Sequence, residues 1–246
     1  MMLEVRGLSV SFGGLRAVQE VSLAVAPGRI AALIGPNGAG KTTVFNLISG
    51  FIKADTGTVR FAGRDITGLP PHEICRLGLA RTFQLVQPFA GQTVRENIAV
   101  GAHLRHPRRR DALAAAEAIA QRVGLAAELD KLAMNLTIAG RKRLELGRAL
   151  ATGPRMLLLD EVLAGLNPRE IDEVLPLVRG IRDSGVTVLM VEHVMQAVMN
   201  LSDEAWVLSN GQLIARGTPR EVAENAAVIE AYLGHGTAAR LRAAHA

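Results

Sequence analysis

The run Gly35-Pro36-Asn37-Gly38-Ala39-Gly40-Lys41-Thr42 fits the spacing G-x-x-x-x-G-K-[ST]. Glycines at these places let the backbone curl so that successive N–H groups aim at phosphate oxygens, and a helix beginning at Lys41 adds its positive N-terminal dipole. In that arrangement Lys41 neutralises the β and γ phosphates of a nucleoside triphosphate, and the Thr42 hydroxyl is a Mg²⁺ ligand. Far downstream, Met156-Leu157-Leu158-Leu159-Asp160-Glu161 ends an apolar run in two acids. Such a run reads as a buried strand of a parallel sheet, and the carboxyl end of that strand faces the ligand crevice. Asp160 then anchors Mg²⁺ through water, and Glu161 polarises or deprotonates the water that attacks the γ-phosphate. Taken alone, the acids read equally well as a surface pair capping the next segment.

Two isolated polar residues gain meaning only in this company. Gln84, within Arg81-Thr82-Phe83-Gln84, is neutral and both donates and accepts hydrogen bonds, so it can reach Mg²⁺ or the attacking water. His193 follows the apolar run Thr187–Val191 and can donate to the γ-phosphate from the same sheet edge. On spacing alone, either is more often a surface or packing residue.

These residues need elements to hold them. Residues 3–30 contain short apolar segments broken by Gly13-Gly14 and Pro27-Gly28, which read as small strands joined by turns. Ile30–Ile34 is a continuous apolar run, as expected of a strand covered on both faces, and a helix from about Lys41 to Ser49 follows, with Gly50 as its C-terminal cap. Residues 58–66 read as a hairpin. The stretch from about 90 to 150 is rich in alanine and leucine at helical spacing, as in Asp111–Val123, and predicts a helical subdomain. From Met156 apolar strands alternate with helices, the pattern of a parallel sheet in an α/β fold. Asn210-Gly211 marks a hairpin turn, and a polar, alanine-rich tail is expected from residue 235.

Composition narrows the class further. With 246 residues and 49% apolar content, the chain has ample material for a core. One cysteine, Cys75, leaves no disulfide framework and points to a reducing compartment. No apolar stretch approaches the roughly 20 residues of a membrane-spanning helix, and an acid stands at Glu4 where a signal peptide would be basic, so membrane association is expected through partners. The formal charge is +5, with a basic run at Arg105-His106-Pro107-Arg108-Arg109-Arg110 that reads as a solvated loop. At 3% aromatic, the chain lacks the rings of a base-stacking surface, so no nucleic acid is expected as a partner.

The phosphate loop, Gln84, Asp160-Glu161 and His193, in this order and spacing, resemble the nucleotide-binding subunit of ABC transporters over about residues 3–234. The resemblance implies an α/β P-loop NTPase fold with an antiparallel β subdomain and an inserted helical subdomain near 90–150. It implies ATP and Mg²⁺ as cofactors, with catalytic roles for Glu161, His193 and Gln84 and metal contact by Thr42, Gln84 and Asp160. Nucleotide contact extends from Gly35 to Thr43, and Phe12 occupies the place of the aromatic that stacks on adenine. Asn135–Glu145 stands where the family signature, usually Leu-Ser-Gly-Gly-Gln, would be; Thr137 keeps a hydroxyl able to bond the γ-phosphate of an opposite subunit, while Ile138 and Ala139 replace glycines and restrict backbone approach. Arg141, Lys142 and Arg143 are expected in the first turn of the following helix, where cations oppose the dipole; they read as solvated or paired with acids of neighbouring helices.

Arg81–Gln84, Pro88-Phe89, Asn97–Gly101, Ala164–Asn167 and Ala231–Gly234 are similar to the ATP-binding subunits of branched-chain amino acid importers, although relatives importing urea, short amides or aromatic acids share these strings. At Asn167 the usual residue is Asp. This subgroup implies a second ATP-binding subunit, a copy or a paralogue, together with transmembrane permease subunits, indirectly a solute-binding protein, and a place on the cytoplasmic face of the inner membrane. Two other functions compete: a non-transport ABC ATPase acting on nucleic acid or ribosomes, against which stand the single phosphate loop and the absence of sustained heptads, and a weakly active regulatory subunit, for which the altered signature speaks.

Overall fold

The structure is a computed structural model and describes residues 1–233; the expected tail from 235 lies outside them. The chain runs β1 (Leu3–Phe12), β2 (Leu15–Val25), β3 (Ile30–Ile34), α1 (Lys41–Ile48), β4 (Thr56–Phe61), β5 (Arg64–Asp65), α2 (Pro71–Leu77), β6 (Leu79–Arg81), α3 (Val94–Ala102), α4 (Arg109–Arg122), α5 (Ile138–Ala151), β7 (Met156–Asp160), α6 (Pro168–Asp183), β8 (Thr187–Val191), α7 (Met195–Leu201), β9 (Glu204–Ser209), β10 (Gln212–Gly217), α8 (Pro219–Glu224) and α9 (Ala226–Leu233). It divides into two compact units, one of residues 1–70 with 189 onward and one of residues 71–188.

In the first unit, β2-β1-β4-β5 form an antiparallel sheet. The first two strands are long, where the sequence predicted several short ones. Leu3 and Val5 point inward, then Leu8 and Val10, so the two-residue alternation slips by one. Gly7, at φ 56, and Glu20 opposite, at φ 49, absorb the slip as bulges without ending either strand. β3 is buried along its whole length and pairs in parallel with β9 from Ala31↔Glu204 to Ile34↔Val207. β9 turns into β10 through Asn210 and Gly211, both left-handed at φ 47 and 77, as a two-residue hairpin turn requires. Thr218 and Glu221 close a reciprocal cap on α8, whose first residue is Pro219.

In the second unit, β6 and β7 pair in parallel from Leu79↔Met156 to Arg81↔Leu158. Leu157, Leu158 and Leu159 are fully buried. Each such side chain stabilises the fold by about 1.5–3 kcal/mol, which holds the polar end of β7 in place. Helices α3, α4 and α5 pack on one another. Ala112, Ala116 and Ala120 make a buried stripe at four-residue spacing on α4. Gly101 lets α3 come close to α5: a Cβ there would run into the Arg148 carbonyl and lie 3.1 Å from the Ala151 side chain. The basic run is only partly a solvated loop. Arg109 and Arg110 begin α4, and exposed Arg105 donates to the carbonyls of Thr152 at 3.0 Å and Arg76 at 3.3 Å, partners too distant in sequence to be read from it.

Candidate functional site

The first unit holds the phosphate loop between β3 and α1. Gly38 and Gly40 take φ 78 and 103, and Ala39 N–H donates to Pro36 O at 3.2 Å, so the loop is curled. Gly40 is also a point of close approach, because a Cβ would stand 2.6 Å from the Ala17 carbonyl oxygen of β2. It is the N-cap of α1 and offers no side chain, and α1 carries no acid in its first turn. The first N–H groups of α1 therefore keep their positive character for an anion. Lys41 is 6% exposed, and its Nζ donates to Gly35 O at 2.8 Å and Pro36 O at 2.9 Å, drawn back over the loop it belongs to. Pro36 is half-buried, Asn37 and Thr42 are exposed and Thr43 is half-buried. Phe12, at the end of β1, keeps an exposed ring beside the Gly13-Gly14 turn, and His193 is exposed between β8 and α7.

The second unit holds Gln84, Thr137, Asp160 and Glu161. Asp160 closes β7 at 1% exposure; its Oδ2 accepts from Arg81 Nη2 at 2.7 Å, and its N–H donates to Thr82 Oγ1 at 3.1 Å. Its Oδ1 is buried without a hydrogen-bond partner. The Arg81–Asp160 pair is buried on both sides. Glu161, one residue on, takes a left-handed backbone at φ 49, and its Oε2 accepts from Gln84 Nε2 at 2.6 Å. Thr137 is the exposed N-cap of α5, its Oγ1 accepting from Gly140 N–H at 3.1 Å.

Cap geometry corrects one expectation. With Thr137 as cap, the first turn of α5 is Ile138–Gly140, and Arg141, Lys142 and Arg143 fall in the second turn, where opposition to the dipole is weaker. Arg143 pairs with Glu173 of α6 at 2.5 Å, and Arg141 donates to Met134 O at 2.8 Å. Sequence reasoning missed Arg81 as the partner of Asp160 and Lys142 as a buried cation. A lone basic residue beside a short strand carries no signal of its partner, and it is the parallel pairing of β6 with β7, segments far apart in sequence, that brings Arg81 to Asp160.

Comparison with known proteins agrees across sequence and structure. The "ABC transporter" family matches residues 18–164, and "Branched-chain amino acid ATP-binding cassette transporter" matches 212–238. The LivG high-affinity branched-chain amino acid transport ATP-binding protein of Salmonella typhimurium is 43% identical over 249 residues, covering 95% of this chain and 98% of that one. BraF of Pseudomonas aeruginosa, described in the same words, is 42% identical over 250 residues with the same coverage. A solved nucleotide-free ATP-binding cassette from an ABC transporter matches at TM-score 0.88 and 34% identity over 95% of this chain and 99% of that one. The ADP conformation of such a cassette matches at TM-score 0.87 and 33% identity with the same coverage. Over nearly its whole length, then, this chain belongs to the ABC transporter family, as one of its ATP-binding, ATP-hydrolysing subunits.

Proposed function

We propose that the chain binds ATP with Mg²⁺ and hydrolyses it to power an importer of branched-chain amino acids or a related small polar solute. Support for the solute class comes from the descriptions of LivG and BraF and from the match at 212–238. The observation that carries the chemical reading is the end of β7: a buried carboxylate oxygen with no protein donor, next to a second carboxylate held by an amide.

A hard divalent cation fits this donor set. Among the described residues no group of three or more His, Cys, Asp or Glu is arranged to hold a metal, but Mg²⁺ needs few protein oxygens and keeps water and phosphate in the rest of its shell. Thr42 and, through water, Asp160, with Gln84, are the residues that would hold it, and when bound it would neutralise charge on the phosphates. Lys41 leaves its loop carbonyls for the triphosphate, and the N–H groups from Gly35 to Thr43 orient the phosphate chain. Phe12 offers its exposed face to the adenine. Glu161 takes a proton from the attacking water, Gln84 sets the direction of its carboxylate, and His193 donates to the γ-phosphate.

The functional assembly in this reading is a pair of ATP-binding subunits, identical or paralogous, each offering Thr137 to the nucleotide of the other. Its domain, residues 3–234 with the helical subdomain near 90–150, docks on permease subunits. Phe83, Leu85 and Phe89 are exposed around Gln84, an apolar surface suited to membrane-protein helices. Among the described residues no helix is long and apolar enough to cross a membrane, and the chain is placed at the cytoplasmic face through those permeases, with a solute-binding protein as an indirect partner. The test is turnover of Glu161→Gln beside the natural protein: it should bind ATP and lose hydrolysis. Unchanged turnover would remove Glu161 from its role.

A further inference from the structure

The three cations near the start of α5 have separate fates. Arg141 and Arg143 are spent on a local carbonyl and on α6, whereas Lys142 turns inward and is 9% exposed. Its ammonium donates to two main-chain oxygens, Gln84 O at 3.1 Å and Glu161 O at 3.0 Å. The side chains of those same two residues bond each other at 2.6 Å. One cation thus fixes both main chains of a paired amide and carboxylate.

The rest of the same α5 face holds the same loop. Glu145, one turn on and 8% exposed, accepts from the Phe83 N–H. Arg148, a further turn on, donates to Gln87 O at 3.1 Å and to Glu145 Oε2 at 3.1 Å, and lies 5.0 Å from the centre of the Phe89 ring. Residues at three-residue steps along a helix share a face. The loop of residues 83–89 is therefore gripped on successive turns, and Lys142 is the member of this face that also reaches Glu161.

Glu161 needs such a hold. Its backbone is left-handed at φ 49, a conformation that strains a residue with a Cβ and persists only where surroundings fix it. Two donors meet its carbonyl, the Ala164 N–H at 3.2 Å and the Lys142 ammonium. The second is charge-assisted and removed from water, hence the stronger.

We propose that Lys142 is a positioning residue for hydrolysis: by holding the carbonyls of Gln84 and Glu161 it sets the Glu161 carboxylate for the attacking water and ties that orientation to the helix beginning at Thr137. The proposal rests on the role given to Glu161 above. It makes α5 bifunctional, with its cap turned toward a partner's nucleotide and its second turn controlling the carboxylate of its own chain. A shift of α5 then reaches Glu161 through a charge-assisted bond that a side chain without a donor cannot make.

The experiment compares the full-length natural protein with Lys142→Met, which keeps the apolar stem and removes the donors, and Lys142→Arg, which keeps the charge. Steady-state hydrolysis is measured against ATP concentration, with nucleotide affinity titrated separately using a fluorescent ATP analogue. Lys142→Met should lose about 10- to 100-fold in kcat, while KM and nucleotide affinity stay within about threefold; Lys142→Arg should recover much of the loss. Turnover of Lys142→Met equal to that of the natural protein would overturn the proposal. So would parallel losses of kcat and nucleotide affinity with no recovery in Lys142→Arg, the pattern of a merely structural residue. Should Lys142→Met fail to unfold cooperatively, Lys142→Leu, which likewise has no donor, takes its place with the same outcomes. A natural protein that neither binds nor hydrolyses ATP would instead defeat the reading of the site itself.

Discussion

Asp160 shows how much of one residue's behaviour comes from a neighbour invisible in the motif. Its carboxylate is buried and bonded to Arg81, itself almost fully buried. Removing one member of such a pair leaves an uncompensated charge, so Arg81→Met should destabilise the protein by roughly 3–5 kcal/mol, measured by urea unfolding; a change under about 1 kcal/mol, the scale of exposed pairs, would contradict it. Glu145 gives a pH signature. Burial pushes its carboxyl above the ordinary 4.5, against the lowering effects of Arg148, the Phe83 N–H and Lys142. The folded state thus binds this proton more tightly than the unfolded chain. Its contribution to stability is complete below the ordinary carboxylate value and is lost as pH rises through the raised folded value. Stability of the natural protein relative to Glu145→Gln should therefore fall as pH increases over that window, and parallel unfolding free energies would contradict the assignment. At this scale the phosphate loop was legible, because glycine, lysine and threonine at fixed offsets carry their own geometry. Arg81 and Lys142 were not, because a buried cation is defined by carbonyls and carboxylates that only the fold brings to it.

Among the elements, departures from family pattern find local explanations. Asn167, where Asp is usual, is the N-cap of α6: its Oδ1 accepts from Glu170 N–H at 3.0 Å, while Glu170 Oε2 accepts from Asn167 N–H at 2.9 Å. Asn and Asp cap about equally well. Asn167→Asp should leave stability within a few tenths of a kcal/mol and Asn167→Ala should lose about 1 kcal/mol in urea unfolding; equal losses would mean that the cap is not what the residue supplies. Helix α1, the Asn210-Gly211 hairpin, β3, β7 and β8 were readable because continuous apolar runs and glycine turns have few alternatives. From sequence the first two strands look like several short ones, because a bulge and a strand end look alike when alternation slips. The three cations fall a turn later than expected because a helix start is marked by the residue able to cap, Thr137, and not by the charges that follow it.

For the molecule as a whole, family membership converts local geometry into a cycle. If Thr137 of one subunit serves the nucleotide of another, ATP should assemble two chains, and a chain unable to hydrolyse should remain assembled. Glu161→Gln with ATP and Mg²⁺ should elute with about twice the mass of the nucleotide-free chain in light scattering, since a ligand favouring one state accumulates it; a monomer at saturating ATP would contradict cross-subunit contact. The solute is not legible as a single compound, because the motifs that can be read from the sequence are those that handle nucleotide. The most direct test of the central claim is calorimetric titration of Mg²⁺-ATP into the natural protein and into Lys41→Ala. Saturable binding by the first and a loss of at least about tenfold in affinity by the second are predicted; no binding by the natural protein, or equal binding by both, would contradict the claim that the loop ending in Lys41 and Thr42 holds the triphosphate.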